Sequence, residues 1–217
     1  MKRISKEDTR RRIIDASVEV FAELGFFSAR VSDVAQRAGV ADGTIYLYFR
    51  SKDDLLLSLF REKMSEIVDR LHLIVSDPIP PDAKIRRYVA EHLALVEDQP
   101  KLMQILTVEI RKSARFLRAS GTALGFARYL ALVAQIIAEG QDVGIFAKSF
   151  DPHVVARALF GAIDEISLSW VLDKNRPDKN RPPRDRSEVA VQVSAFILSG
   201  LGFASSRSEP EPVEPAP

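Results

Sequence analysis

The chain has 217 residues, 46% of them hydrophobic, with 31 basic against 30 acidic side chains and a net charge of +1. That is enough chain to bury a sizeable core in one or two domains, and any affinity for nucleic acid has to come from local clustering rather than bulk charge. There is no cysteine, which excludes disulfides, thiolate catalysis and cysteine metal sites.

Residues 1–12 concentrate six bases (Lys2, Arg3, Lys6, Arg10, Arg11, Arg12) against two acids (Glu7, Asp8). A solvated terminus is the plain reading of such a run. Its position, directly ahead of a helix, favours phosphate contact instead. Over 7–24, Ile13, Ser17, Val20, Phe21 and Leu24 recur at spacings of three and four on one helical face. Gly25 ends this helix, and Phe26 and Phe27 are expected to anchor the connection in the core. A second helix begins near Arg30 to Ser32, where exposed amides favour an anion and either side chain is placed to touch a phosphate.

Residues 34–52 read as two short helices joined by a glycine turn. Ala35 and Ala38 are small enough for a close helix crossing, Gly39 tolerates positive φ, and Val40 and Ile45 supply apolar contacts. The second helix is too short to be stable alone. Its outward face carries Gly43, Thr44, Tyr46, Leu47 and Tyr48, with Arg50 and Lys52 beyond, while Phe49 reads as core. Hydroxyls that bond phosphate oxygens, and a glycine that lets backbone approach a duplex, suit a DNA reader. Asp42 has two readings: it caps the helix, or it accepts a hydrogen bond from a cytosine amino group. A pure packing motif would require this short helix to bury Tyr46 and Tyr48 on opposite sides, against helical geometry.

The stretch from Val34 to Lys52 resembles the helix-turn-helix of the TetR family of transcriptional regulators, departing at Ala41, where serine is common, and at Asp42. The resemblance implies a phosphate contact for Lys52, a long following helix that links reader to sensor, and a dimer on a near-palindromic double-stranded operator.

Ser51 is a good cap for that long helix, with Asp53 and Asp54 in its first turn, and the pattern continues through Leu55, Leu59, Glu62, Ile67 and Leu71 to about Val75. The proline-rich segment 77–81 breaks it. Helical periodicity returns over 82–96, 100–118, 121–139 and 152–173, and again in a last helix capped by Ser187. Between them Asp-Lys-Asn-Arg-Pro occurs twice, at 173–177 and 178–182, as a polar loop. The reading is all-α, with a three-helix DNA-binding domain over 1–50, a helical ligand-binding and dimerisation domain over 51–204, and a disordered tail over 205–217. No run of about eighteen apolar residues and no signal-like apolar core occurs, which predicts a cytoplasmic protein with no membrane attachment.

The helices over 152–173 and after Ser187 are more apolar than one core needs. Leu159, Ile163, Ile166, Trp170, Val193, Phe196 and Ile197 are the expected homodimer contacts, as a four-helix interface. Residues 41–49 and 160–165 resemble the FadR-type branch, repressors of fatty-acid degradation released by long-chain acyl-CoA. Such an effector needs an apolar tunnel and cations for phosphates. Leu102, Ile105, Leu106, Val108, Phe116, Leu130, Val133 and Ile137 are candidates for the first, although ordinary core packing is the plainer reading for each taken singly. Arg111, Lys112, Arg115 and Arg118 are candidates for the second, or a solvated face. A drug-responsive efflux regulator is the nearest alternative and would want aromatics around an unpaired buried acid. An enzyme is the contrast by class. His72, His92 and His153 lie on separate segments with no nucleophile motif, phosphate loop or metal-ligand pair, so no catalytic residue, metal or cofactor is expected.

Overall fold

A computed structural model describes residues 5–109, 120–175 and 185–202 of the chain. Every regular element among them is helical. Helix α1 (Lys6–Leu24) opens on a reciprocal cap in which the Ser5 hydroxyl accepts from the Asp8 amide at 2.9 Å and the Asp8 carboxylate accepts from the Ser5 amide at 3.2 Å. Such a cap contributes about 1 kcal/mol. It also holds the Asp8 carboxyl below its usual range. The buried face is Ile13, Ile14, Ala16, Ser17, Val20 and Phe21. Leu24 is exposed, contrary to expectation, because the helix turns out at Gly25 (φ 74°) immediately after it. Of the two phenylalanines that follow, Phe26 is buried and Phe27 is not.

Helix α2 (Val31–Ala38) stops at Gly39, whose φ of 65° lies in the left-handed region, and Val40 N–H closes back on Ala35 O at 3.0 Å. This is the glycine termination that the spacing implied. Helix α3 (Asp42–Tyr46) follows, then α4 (Lys52–Ser76), capped by Ser51 accepting from the Asp54 amide at 3.1 Å. After the proline break come α5 (Pro81–Asp98), with Pro81 at its first helical position, and α6 (Pro100–Gln104). The chain then widens into a π turn, Ile105–Glu109, where one uninterrupted helix was expected. Helices α7 (Ser120–Asp142), α8 (Pro152–Asn175) and α9 (Arg186–Gly200) complete the described chain. The cap of α9 is Asp185, not Ser187: the Asp185 carboxylate accepts from the Ser187 amide at 2.8 Å, which puts Ser187 inside the first turn.

Helix α4 is the spine. It packs on α1, α5 and α7, while α8 covers α7 and α9 lies on α5. Lys84 fastens three of these helices together, its ammonium donating to Val75 O and to the Glu139 carboxylate, each at 2.8 Å. The lysine is buried and its acid half-exposed, so the carboxylate keeps part of its hydration while the ammonium is fully partnered. Lys2, Arg3, the cluster Arg111, Lys112, Arg115, Phe116 and Arg118, most of the duplicated loop and the tail lie outside the described residues.

Candidate nucleic-acid interface and sensor core

Helices α2 and α3 cross as expected, with Val34, Ala35, Ala38, Ile45 and Phe49 sealed between them and α1. What remains outside is the expected reading face. Tyr46 is 58% exposed and Leu47 82%; Gly43 is open on its Cβ side; Thr44 and Tyr48 are half-buried. Arg30 is exposed and Ser32 half-buried at the start of α2, where the Arg30 amide donates to Asp33 at 2.7 Å. Asp42 does not cap α3. Ala41 occupies the N-cap position, and Asp42 is the first helical residue, exposed, with no capping hydrogen bond.

The basic N-terminal run divides. Lys6 and Arg11 are exposed. Arg12 instead donates to Ala38 O, closing the end of α2, and Arg10 pairs with Glu62 while lying 5.4 Å from the centre of the Phe49 ring. These two arginines assemble the domain rather than face a phosphate. Lys52 is a larger departure from expectation. Its ammonium donates to Phe26 O at 2.8 Å, Phe27 O at 3.1 Å and Ala29 O at 2.8 Å, and sits 4.7 Å from the Phe26 ring centre. An ammonium has three protons, and all three are committed. Lys52 clamps the loop between α1 and α2.

The same loop is held from the other side by the sensor half. Glu109, buried at the end of the π turn, accepts from the Phe26 amide at 3.0 Å. Gln104 donates to Ala22 O at 3.0 Å, and Lys101 reaches Glu19 and Glu23 on α1. Arg37 of α2 shares Glu23, and these two cations, Arg37 first, hold the Glu23 carboxyl down at about 2. Two helices of the reader, α1 and α2, and the segment 100–109 are thus tied by side chains that no local pattern advertised.

Deeper in the sensor half, α5, α7 and α8 enclose an aromatic cluster of Tyr88, His92, Tyr129, Phe126 and Phe160. His92 Nδ1 lies 2.7 Å from the Tyr129 hydroxyl, which donates to the Tyr88 hydroxyl at 2.9 Å. Burial pushes both phenols up and the His92 imidazole down to about 4 from an ordinary 6.5. The unfolded chain therefore takes up this proton near pH 6.5 and the folded chain only near pH 4. Stability from this site is complete above pH 6.5 and falls by on the order of 3 kcal/mol as pH drops to 4. Urea titrations at pH 7 and pH 4.5 should show most of that loss in the wild type and little of it in His92→Gln; an identical loss in both would assign it elsewhere.

Comparison with known proteins decides the family. The description "Bacterial regulatory proteins, tetR family" matches residues 13–59, and "YsiA-like protein, C-terminal region" matches residues 60–183. The fatty acid metabolism regulator protein of Bacillus subtilis is 35% identical over 167 residues, which are 77% of this chain and 86% of that protein. The chain belongs to the TetR family. Among solved structures of TetR-family regulators, Bacillus subtilis FadR in complex with stearoyl-CoA is 31% identical with a TM-score of 0.79, covering 88% of this chain and 98% of the other. The fatty acid degradation regulator FadR of Bacillus halodurans is 33% identical with a TM-score of 0.81, covering 92% and 100%.

Within this TetR-family fold the expected sensor residues are packed rather than lining a tunnel. Leu102, Ile105, Leu130 and Val133 are buried in the core and Leu106 half-buried against it. The cavity at the sensor core, about 30 Å³, is lined instead by Ile67, Arg70, Leu71, Ile74, Tyr88, Glu91, His92, Leu95 and Tyr129. The expected dimer set also divides. Leu159 and Ile163 are buried within the subunit itself, leaving no area to offer a second copy, because they fall on the side of α8 that meets α7 and α5. Ile166, Trp170, Val193 and Ile197 are half-buried, and Phe196 is 77% exposed. The apolar surface on α8 runs through Val154, Ala158, Ala162 and Leu172, one helical position off the predicted set. A helix that is apolar nearly all round gives no periodic signal to say which side faces inward.

Proposed function

We propose that this protein is a transcriptional repressor of fatty-acid degradation genes, binding a near-palindromic operator as a homodimer and released by long-chain acyl-CoA. The observation that carries the reading is the match over 88% of the chain to a regulator solved with stearoyl-CoA. Residues 1–50 read DNA and 51–204 sense and dimerise, with α4 shared. Arg30, Ser32, Asp42, Gly43, Thr44, Tyr46, Leu47 and Tyr48 form the DNA face, and the surface through Val154, Ala158, Ala162, Leu172 and Phe196 meets its mate. The protein works by binding in the cytoplasm, not by catalysis, and its small molecule is an effector rather than a cofactor. A cationic-drug sensor would want an unpaired buried acid, and Asp164, the buried acid nearest the aromatic cluster, already has a partner.

The mechanism follows from the clamps. The π turn carries Ile105 and Leu106 on the sensor side and Glu109 on the reader side. An acyl chain entering the core displaces this segment, and the loop held between Glu109 and Lys52 moves with it, changing the separation of the two readers. Only a ligand that binds the displaced state more tightly can drive this change.

Titrating palmitoyl-CoA into a labelled operator complex should release the DNA, while palmitate should not; equal release by both would overturn a role for the CoA group. Tyr46→Ala should lower operator affinity about tenfold or more with an unchanged melting temperature, since the side chain is mostly exposed. A lowered melting temperature in that variant would return Tyr46 to a packing role.

A further inference from the structure

His92 stands in the wall of the small sensor-core cavity with Tyr88, Tyr129 and the apolar side chains of α4. Its hydrogen bonding is half complete. With Tyr129 donating to Tyr88, its oxygen can accept the 2.7 Å bond from His92 when Nδ1 carries the ring proton. That tautomer leaves Nε2 as a bare lone pair, and Nε2 is buried without a hydrogen-bond partner. A buried acceptor left unmade is costly to the fold. Burial holds the imidazole neutral, so it does not itself attract an anion; the Phe160 ring centre lies 6.0 Å away, and Arg70 and Glu91 also line the cavity. A neutral donor answers the bare lone pair of an uncharged ring, and about 30 Å³ holds one water or one hydroxyl with its carbon.

We propose that His92 Nε2 accepts a hydrogen bond from a hydroxyl on the effector's acyl chain, so that the sensor prefers hydroxyacyl-CoA to its unsubstituted counterpart. This rests on the acyl-CoA reading above and deepens it. A site built to bond a hydroxyl discriminates against a ligand lacking one, because its own buried polar atom is then left unpaired.

Calorimetric titration of the full-length protein with palmitoyl-CoA, β-hydroxypalmitoyl-CoA and ω-hydroxypalmitoyl-CoA tests it. At least one hydroxylated probe should bind about tenfold or more tightly than palmitoyl-CoA, and His92→Phe should bring the ratio of the two affinities close to one. Palmitoyl-CoA binding as tightly as both hydroxylated probes would overturn the hydroxyl assignment and spare the acyl-CoA reading, as would a ratio unchanged in His92→Phe. Binding of none of the three would overturn both. Should His92→Phe fail to fold, the wild-type comparison decides alone.

Discussion

Lys52→Ala is expected to lower the folding stability of the DNA-free protein by about 4 kcal/mol, where a phosphate-contacting lysine would leave it unchanged. The ammonium donates to three carbonyls of one loop and lies against the Phe26 ring. Hydrogen bonds to a charged group contribute about 1.5–3 kcal/mol each and do not add fully, and the ring contact contributes about 1 kcal/mol. Removing the ammonium leaves the Phe26 and Ala29 carbonyls, both partly buried, without this donor. Lys52→Met keeps the apolar stem and should lose nearly as much. Chemical denaturation of the two variants without DNA checks this. If both unfold at the wild-type midpoint while the salt dependence of operator binding becomes shallower, the lysine faces phosphate and the clamp is unimportant.

Gly140→Ala should be as damaging, at about 3–5 kcal/mol, although alanine is the better helix former. A Cβ at this position would stand 2.0 Å from Phe146 Cδ2, well inside contact distance, and Phe146 is buried. The ring must leave its site, and losing a buried phenylalanine from a core costs about that much. Propensity alone predicts the opposite sign, a gain of about 1 kcal/mol. The pair Gly140→Ala with Phe146→Ala removes the clash and should be at least as stable as the Phe146→Ala single variant. If Gly140→Ala alone stabilises the protein, the close approach of the loop after α7 is wrong.

The helix-turn-helix was readable from residues because its signals are local. A small residue where helices cross, a glycine where φ turns positive and a hydroxyl ahead of a helix each act within about one turn of chain. Gly39, Ser51 and the buried pair Ile45 and Phe49 therefore fell where they were expected. The same local logic failed at Ser187, where Asp185 two residues earlier is also able to cap, and at Asp42, where the backbone conformation puts Ala41, with no side-chain acceptor, at the N-cap position.

Composition, periodicity and the motif at 34–52 were enough to determine an all-helical chain, a DNA-reading segment and the outward placement of Tyr46 and Leu47. Tertiary structure alone decided what the long charged side chains do. Lys52, Arg10, Arg12 and Glu109 reach partners 23 to 83 residues away in the chain, and a flexible stem leaves no trace in sequence of which carbonyl or carboxylate will lie at its tip. It decided equally which side of α8 is covered and that His92 meets two tyrosines, because helices apolar on most sides acquire an inside and an outside only when their neighbours dock.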